Sequence, residues 1–117
     1  MNILIVDDHS GCRTLIRDLL ARPGDRVREC ESGETALEAL AEFTPDWATV
    51  DLVLPVMNGL MAIKAMRGAC PAARIVMVSS YDGPECRAMA LALGAAAFVS
   101  KTQLPLLRDL FRDTAAE

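Results

Sequence analysis

Short apolar runs alternate with segments of helical spacing along the whole chain. The apolar runs predict five buried strands, at Asn2–Val6 and at residues 27–30, 47–50, 75–78 and 96–99. After each run, apolar side chains recur three or four positions apart, as they do on the buried face of an amphipathic helix. These positions are Cys12, Leu15, Ile16, Leu19 and Leu20; Ala36, Leu37, Leu40 and Ala41; Leu60, Ile63 and Met66; Cys86, Met89, Ala90 and Leu93; and Leu107, Leu110 and Phe111. The pattern therefore predicts a strand followed by a helix, repeated five times.

Glycine, proline and polar residues mark the ends of the predicted helices. Gly24 and Gly94 follow the first and fourth helices, at the position where glycine commonly ends a helix. Asp82, with Glu85 three residues later, predicts a capping box at the start of the fourth helix. Pro105 is expected in the first turn of the last helix, where proline is tolerated.

Alternating strands and helices predict an α/β fold with a parallel sheet. Parallel neighbours need a crossover connection, and here each crossover contains a helix. Right-handed crossovers leave few topologies, and the helices are expected to cover both faces of the sheet. No linker, repeat or low-complexity stretch interrupts the 117 residues, so residues 1–117 are predicted to form one domain.

Composition narrows the classes of function. Hydrophobic residues make up 52% of the chain, which is enough for a folded core. A net charge of −4 disfavours binding to phosphate backbones, so nucleic acid is not expected as a direct partner. No apolar run approaches the ~20 residues of a membrane span, and no basic leader precedes the first strand, so a cytoplasmic protein is expected. The cysteines form no C-x-x-C pair and are expected to be reduced thiols: Cys12, Cys30, Cys70 and Cys86.

Polar side chains follow four of the predicted strands at their C-terminal ends. Asp7 and Asp8 follow the first strand, Asp51 the third, Ser79 the fourth and Lys101 the fifth. In open α/β sheets, ligands bind outside this edge, at the point where the strand order reverses. Each residue taken alone is also typical of a turn, a helix cap or a solvated loop. Their combination at one edge of the sheet favours a binding site.

The three carboxylates at neighbouring strand ends would repel one another, which predicts a cation between them. Oxygen ligands with open coordination positions favour Mg²⁺, which keeps water molecules and binds beside phosphate oxygens. Lys101 and the hydroxyl group of Ser79 are suited to hold the remaining phosphate oxygens.

Four motifs, in this order, resemble the receiver domain of bacterial response regulators. They are IVDDH at 5–9, DLVLPVMNG at 51–59, MVSS at 77–80 and GAAAFVSK at 94–101. The resemblance covers essentially the whole chain, and the Asp-Asp-His start is similar to receivers attached to helix-turn-helix transcription factors. It implies a flavodoxin-like, three-layer αβα fold with a five-stranded parallel sheet of order 2-1-3-4-5.

The resemblance also implies a role for each residue of the acidic edge. Asp51 would be the phosphoacceptor. Asp8, Asp51 and the backbone carbonyl of Val53 would bind Mg²⁺ directly, and Asp7 would hold it through water. Lys101 would pair with the phosphoryl group.

Four further positions match residues that shape or transmit the signal in this family. Ser79 would be the switch hydroxyl and Phe98 the switch aromatic, which turns inward after phosphorylation. Pro55 and Gly59 would shape the loop after the phosphorylation site. The surface that responds would be the face of the fourth helix, the fifth strand and the fifth helix.

The implied partners are a sensor histidine kinase or phosphotransfer protein that supplies the phosphoryl group, and a downstream output domain or protein. A phosphorylation-dependent homodimer is also among them, and a membrane is not. The chain would not be an enzyme in the usual sense, because it would catalyse only its own phosphorylation and dephosphorylation.

The chain departs from the family pattern at a few positions. Thr102 follows Lys101 where many receivers have a cis proline, so the loop into the last helix is expected to differ. Val53 and Tyr81 stand two residues past Asp51 and Ser79, where apolar and aromatic side chains predict slow hydrolysis of the acyl phosphate.

Two other aromatic side chains are interpreted structurally. His9 is the only histidine and makes no metal cluster by itself, so it is predicted to be an entry residue of the first helix. Trp47 is expected in the core, ~13 Å from Asp51 by strand rise.

Three alternative functions fit the sequence less well. A phosphatase of the haloacid-dehalogenase type needs an acid two residues after its nucleophile, where this chain has Val53. A nucleotide-binding domain needs a glycine-rich loop after the first strand, where Asp7 to Ser10 stand instead. A receiver-like module that binds partners without phosphate usually lacks an acid or the lysine, and this chain has both.

Overall fold

The computed structural model describes residues 1–81 and 83–115, with side chains to Phe111 in the last helix. The strands are β1 (Asn2–Val6), β2 (Arg26–Cys30), β3 (Trp47–Asp51), β4 (Arg74–Ser79) and β5 (Ala97–Ser100). The helices are α1 (Ser10–Leu20), α2 (Gly33–Ala39), α3 (Gly59–Ala69), α4 (Pro84–Ala92) and α5 (Leu106–Ala115), and a 3-10 turn, Lys101–Gln103, precedes α5. Five strands and five helices therefore occur in the predicted order.

The sheet is parallel throughout, with the strand order β2-β1-β3-β4-β5. The predicted order 2-1-3-4-5 is confirmed. The chain runs outward from β1 to β2 and then returns to the other side of β1 to form β3. The order therefore reverses between β1 and β3, and the carboxyl ends of these two strands define the crevice in which open α/β sheets bind ligands.

Helices cover both faces of the sheet, which confirms the three-layer αβα architecture. Side chains alternate along each strand, so Ile3 and Ile5 of β1 face one layer while Leu4 and Val6 face the other. The first layer consists of α1 and α5, and the second of α2, α3 and α4. Among the described residues, no helix has the length and apolar character of a membrane span.

The ends of two helices differ from prediction. The helix α1 ends at Leu20 with Ala21 extended after it, so Gly24 is not its stop. Gly24 instead has a φ of 93° in the turn before β2, a conformation that glycine adopts without strain. The predicted stop at Gly94 is confirmed, because it has a φ of 112° directly after the C-cap Leu93 of α4.

The predicted capping box of α4 rests on Asp82, which lies outside the described residues. Gly83 is the N-cap and makes no side-chain hydrogen bond to the helix. The helix begins at Pro84, whose missing N–H costs nothing at the first helical position. Pro105 directly precedes α5, and its carbonyl oxygen accepts a hydrogen bond from the backbone N–H of Arg108 (3.1 Å).

Two apolar helix positions are more exposed than their spacing predicts. Leu15 of α1 is 49% exposed and Met89 of α4 is 54% exposed. The sheet covers only a narrow stripe of each helix, through Ile16 and Leu20 in α1 and through Ala90 in α4. Residues at the flank of such a stripe keep helical spacing without being buried.

Trp47 confirms the prediction of a core position. Its side chain is buried at the start of β3 and its ring stacks on Phe111 of α5, with centroids 4.4 Å apart. The guanidinium of Arg74 lies 5.6 Å from the centre of the Trp47 ring. The stack therefore ties the last helix to the sheet.

Thr49→Val is expected to stabilise the fold. Thr49 is buried in the middle of β3, and its Oγ1 has no hydrogen-bond partner among the described residues. Replacing that hydroxyl with a methyl group removes an uncompensated polar atom, so the free energy of unfolding should rise by about 1 kcal/mol. Urea denaturation would measure this difference.

Thr35→Val is the matched control for that substitution. The Thr35 hydroxyl donates to the backbone carbonyl of Ser32 (3.0 Å) in the cap of α2, so its removal should destabilise the protein. Equal effects of the two variants would contradict the assignment of Thr49.

Candidate functional site

Three charged side chains meet at the crevice between the carboxyl ends of the strands. Asp7 lies two positions beyond Ile5, and Lys101 lies two positions beyond Val99. Because side chains alternate along a strand, both charged side chains lie on the same face of the sheet as Ile5 and Val99, which is the face that α1 and α5 cover. Asp51 ends β3 on the same face. The alternation therefore brings together residues that are far apart in sequence.

Lys101 bridges the two buried carboxylates. Its Nζ lies 2.8 Å from Oδ2 of Asp7 and 3.1 Å from Oδ2 of Asp51. The side chains of Asp7 and Asp51 are 1% and 5% exposed, and that of Lys101 is 16% exposed. Oδ2 of Asp7 is held only by this ion pair and accepts no aligned hydrogen bond from a described group. The buried site therefore holds two carboxylates against one ammonium group.

Burial and charge shift the ionisation of this cluster. Burial raises the pKa of Asp51, and the hydrogen bond and charge of Lys101 only partly oppose it, while Asp7 adds to the rise. For Lys101, burial alone would lower the pKa, but the carboxylates of Asp7 and Asp51 outweigh it and raise the pKa. Lys101 therefore stays protonated. The ionised form of Asp51 is disfavoured in the folded protein relative to the unfolded chain.

Hydrogen bonds hold Asp7 in place from several sides. Its backbone N–H donates to the carbonyl oxygen of Cys30 (3.0 Å), which continues the pairing of β1 with β2. Nη1 of Arg13 donates to its carbonyl oxygen (2.6 Å), and Oδ1 accepts from the backbone N–H of His9 (2.8 Å). The Asp7 carboxylate is thus fixed relative to the sheet.

Asp8 and His9 complete the acidic edge. The side chain of Asp8 is 34% exposed, and Nδ1 of His9 lies 3.0 Å from its Oδ1. His9 is the N-cap of α1, which confirms its predicted place at the helix entry. One potential ligand atom from each of Asp7, Asp8, His9 and Asp51 lies within 4.8 Å of the others. A single histidine made a metal-ligand role for His9 the less favoured interpretation of the sequence, and the structure places its ring beside both aspartates.

The backbone of Val53 makes only a long hydrogen bond with Asp51. Its N–H points to Oδ1 of Asp51 at 3.4 Å, which is a long hydrogen bond. The predicted role of its carbonyl oxygen stays a prediction. Its side chain is 63% exposed, and that of Tyr81 is 61% exposed.

Ser79 and Phe98 are both buried. Oγ of Ser79 accepts a hydrogen bond from the backbone N–H of Tyr81 (3.1 Å). The Arg87 guanidinium of α4 lies 4.8 Å from the centre of the Phe98 ring, and its Nη1 donates to the Phe98 carbonyl oxygen (3.2 Å). The ring of Phe98 is therefore already inward in this structure, and Arg87 covers it.

The loop between Asp51 and α3 closes tightly at Gly59. The backbone N–H of Gly59 donates to the carbonyl oxygen of Leu52 (2.8 Å). A Cβ atom at this position would overlap the carbonyl oxygen of Asp51 and lie 2.7 Å from Cα of Leu52. The helix can approach the end of β3 only because residue 59 has no side chain.

Gly59→Ala is expected to destabilise the protein by about 2 kcal/mol, because the backbone of residues 51 and 52 must move. Gly68→Ala, in the same helix, is the control. A Cβ atom at Gly68 meets nothing within 4 Å, so this change should stabilise the helix. Urea denaturation of both variants checks this, and a neutral Gly59→Ala would contradict the close approach.

Lys101 opens the turn that leads to α5. Oγ of Ser100 accepts a hydrogen bond from the backbone N–H of Thr102 (3.3 Å), and the two hydroxyl groups are 2.9 Å apart. Thr102 thus takes part in the turn through hydrogen bonds that proline could not make.

Comparison with known families agrees with the fold. The model of the response regulator receiver domain matches residues 3–111. The chain therefore belongs to the receiver domain family of two-component response regulators.

Two relatives and one solved structure show the extent of the similarity. The chemotaxis protein CheY of Bacillus subtilis is 37% identical over 100 residues, covering 85% of this chain and 83% of that protein. The nitrate/nitrite response regulator protein NarL of Escherichia coli K12 is 34% identical, covering 98% of this chain but only 55% of that protein. A response regulator from Burkholderia pseudomallei, crystallised with a phosphorylated aspartic acid, calcium ion and citrate, superposes with a TM-score of 0.81. It is 26% identical, and the match covers 98% of this chain and 71% of that one.

Proposed function

We propose that this receiver domain accepts a phosphoryl group on Asp51 and passes the signal on through a change of shape. The phosphoryl donor is a histidine kinase or a phosphotransfer protein in the cytoplasm. The observation that carries the proposal is the contact of Lys101 with both Asp7 and Asp51 in the crevice where the strand order reverses. The chain catalyses only its own phosphorylation and dephosphorylation, and it has no other enzymatic activity.

The donor set fits a divalent cation. Two carboxylates are buried against one ammonium group, and Oδ2 of Asp7 lacks an aligned hydrogen bond from any described group. Asp8 and Asp51 would hold Mg²⁺ directly together with the carbonyl oxygen of Val53, and Asp7 would hold it through water. When bound, Mg²⁺ neutralises negative charge on the phosphoryl oxygens.

The residues of the chain supply the remaining chemistry. One carboxylate oxygen of Asp51 attacks the phosphorus atom, and the P–N bond of the donor phosphohistidine breaks with its electron pair returning to the imidazole. The product is an acyl phosphate on Asp51. Lys101 orients the Asp51 carboxylate and then pairs with the transferred group, which develops negative charge on its oxygens. Burial of Asp51 limits the access of water to the new bond.

The added phosphoryl group changes the balance between two conformations. It brings about 1.5 to 2 negative charges and new acceptor oxygens into the crevice. The oxygen of the Ser79 hydroxyl accepts a hydrogen bond from the backbone N–H of Tyr81, and the hydroxyl can donate its own hydrogen to one of these oxygens. The surface of α4, β5 and α5 then responds through Phe98, which Arg87 holds under α4.

The relatives support this proposal and indicate how the output is reached. The Burkholderia regulator carries the modification proposed here, on an aspartic acid. The match with NarL spans about half of that regulator, so a receiver of this kind also occurs in a longer chain. The proposed target is an output domain or a separate protein, with phosphorylation-dependent dimerisation as one form of output. Direct contact with nucleic acid or a membrane is not part of the proposal.

Acetyl phosphate, a small phosphodonor, tests this function. The chain is incubated with it in the presence of Mg²⁺ or of EDTA, and the intact mass is measured. We expect a single phosphoryl adduct that requires Mg²⁺ and that hydroxylamine removes, as it does from acyl phosphates. A folded protein that gains no adduct with Mg²⁺ would instead support a receiver-like module that binds partners without phosphate.

The acyl phosphate is expected to persist far longer than seconds. Val53 and Tyr81 are an exposed apolar and an exposed aromatic residue two positions after Asp51 and Ser79, where their side chains can hinder the approach of water. Time-resolved intact mass after removal of the donor would measure the lifetime. Val53→Asn and Tyr81→Ala should each shorten it, and a lifetime of seconds in the unmodified chain would contradict the expectation.

A further inference from the structure

One guanidinium group of α4 holds both the ring and the backbone of Phe98. The guanidinium carbon of Arg87 lies 4.8 Å from the centre of the ring, within the range of a cation–π contact. Nη1 of the same group donates to the backbone carbonyl oxygen of Phe98 (3.2 Å). A planar guanidinium can cover a ring and donate a hydrogen bond at the same time, which the compact ammonium group of lysine does less well.

The inward position of the ring does not depend on a change at Ser79. Phe98 is only 7% exposed and belongs to the part of the core that α4 covers, together with Ala90. Oγ of Ser79 meanwhile accepts a hydrogen bond within its own loop, from the backbone N–H of Tyr81 (3.1 Å). The ring is thus inward while Ser79 is still bound to its own loop, and Arg87 is the group that covers the ring.

We propose that Arg87 is a positioning residue that holds Phe98 inward before phosphorylation, so that the surface of α4, β5 and α5 is already partly in its signalling form. This inference rests on the role of that surface in the proposed function. Phosphorylation of Asp51 then enlarges a population that already exists, and the output differs in degree between the two states.

The strength of the contact sets the size of this effect. A cation–π contact at an exposed side chain such as Arg87 changes an equilibrium by about fivefold. Removing the guanidinium group should therefore lower the ratio of inward to outward rings by about fivefold.

Fluorine NMR measures the position of the ring. The chain contains three phenylalanines, so 4-fluorophenylalanine gives three signals, and Phe98→Leu identifies the signal of residue 98. The difference in its chemical shift between H₂O and D₂O is small for a buried ring and larger for an exposed one. This difference should be small in the unmodified chain, both before and after incubation with acetyl phosphate and Mg²⁺.

Arg87→Met removes the charge and the hydrogen-bond donors but keeps an unbranched side chain. Its solvent shift for Phe98 should be larger before phosphorylation and should become small again afterwards. The return is the decisive readout, because simple uncovering of an inward ring would persist after phosphorylation. Arg87→Lys keeps the positive charge and should restore part of the inward population.

Arg26→Met is the matched control. The guanidinium carbon of Arg26 lies 5.8 Å from the centre of the Phe43 ring, so this variant also removes a cation from a phenylalanine. It should alter the signal of Phe43 and leave the solvent shift of Phe98 small before and after phosphorylation.

The outcomes separate this inference from the function on which it rests. The inference is wrong if the resting ring of the unmodified chain is exposed, if Arg87→Met leaves the ring buried, or if the exposure in Arg87→Met persists after phosphorylation. In these cases an adduct in the intact mass of the same samples leaves the proposed function standing. If no sample gains an adduct, the proposed function is wrong, and the signalling role of the surface is lost with it.

Discussion

Asp51→Asn is expected to abolish the phosphoryl adduct completely. The amide is not a nucleophile towards phosphorus, and among the described residues only Asp7 shares with Asp51 the contact to Lys101. Asp7 is only 1% exposed. Its backbone is held by hydrogen bonds with Cys30 and Arg13, and its carboxylate accepts a hydrogen bond from the backbone N–H of His9, so the carboxylate is not free to turn towards an incoming phosphoryl group. Intact mass after incubation with acetyl phosphate and Mg²⁺ measures the result.

The control for this substitution is Asp18→Asn, which removes an exposed carboxylate on α1. It should take up one phosphoryl group as the unmodified chain does. An adduct of undiminished yield on Asp51→Asn would place the phosphoacceptor elsewhere and would end the mechanism proposed for this site.

The same substitution should stabilise the protein when no cation is bound. Asp51 has a raised pKa in the folded state, so the folded protein binds its proton more tightly than the unfolded chain does. The free energy of unfolding therefore falls as the pH rises from the ordinary pKa of about 3.9 through the raised pKa of the folded state. This cost in stability persists at neutral pH. Asp51→Asn removes that cost, while Lys101 keeps its contact with Asp7. In EDTA at neutral pH, we expect a gain on the order of 1 kcal/mol.

Lys101→Met has the second large effect, on stability as well as on phosphorylation. It removes the only positive charge that the described residues place against both Asp7 and Asp51, and two nearly buried carboxylates then repel each other. Loss of one partner of a buried ion pair destabilises proteins by about 3 kcal/mol, and the partial exposure of Lys101 moderates this effect. Urea denaturation in EDTA measures the loss. The phosphoryl adduct should also form much more slowly, because the transferred group loses its cationic partner.

The pH dependence of Lys101→Met follows from the same carboxylates. Without the ammonium group, the folded-state pKa of Asp51 rises further above its unfolded value. Stability is then retained at pH values below the pKa that Asp51 has in the unfolded chain, and it is lost as the pH rises through the pKa of the folded state. The variant should therefore lose more stability at pH 8 than at pH 5, and the double variant with Asp51→Asn should recover part of it.

Lys64→Met is the matched control, since the chain has only these two lysines. Lys64 lies on α3 with its side chain exposed, so its replacement should change the free energy of unfolding very little. If the two methionine variants had equally small effects, the charge balance proposed for the crevice would be wrong.

Local patterns in the sequence determined the elements and their order. Apolar runs and helical spacing predicted each strand and helix, because burial on one face imposes a period that can be read from neighbouring residues. The residues at the strand ends were also identified, because the fold class places all these ends at one edge. The structure shows Asp7, Asp51 and Lys101 in contact there.

Only the tertiary structure could decide how side chains meet across elements. Composition suggested that a single histidine makes no metal cluster, but the turn into α1 places His9 beside Asp8. Spacing predicted buried positions for Leu15 and Met89, but the sheet leaves each exposed at the flank of its helix. The buried ring of Phe98 depends on Arg87, eleven residues earlier and on another element. Periodicity is a property of one element, whereas these contacts depend on the distance and orientation between two elements, which no local pattern encodes.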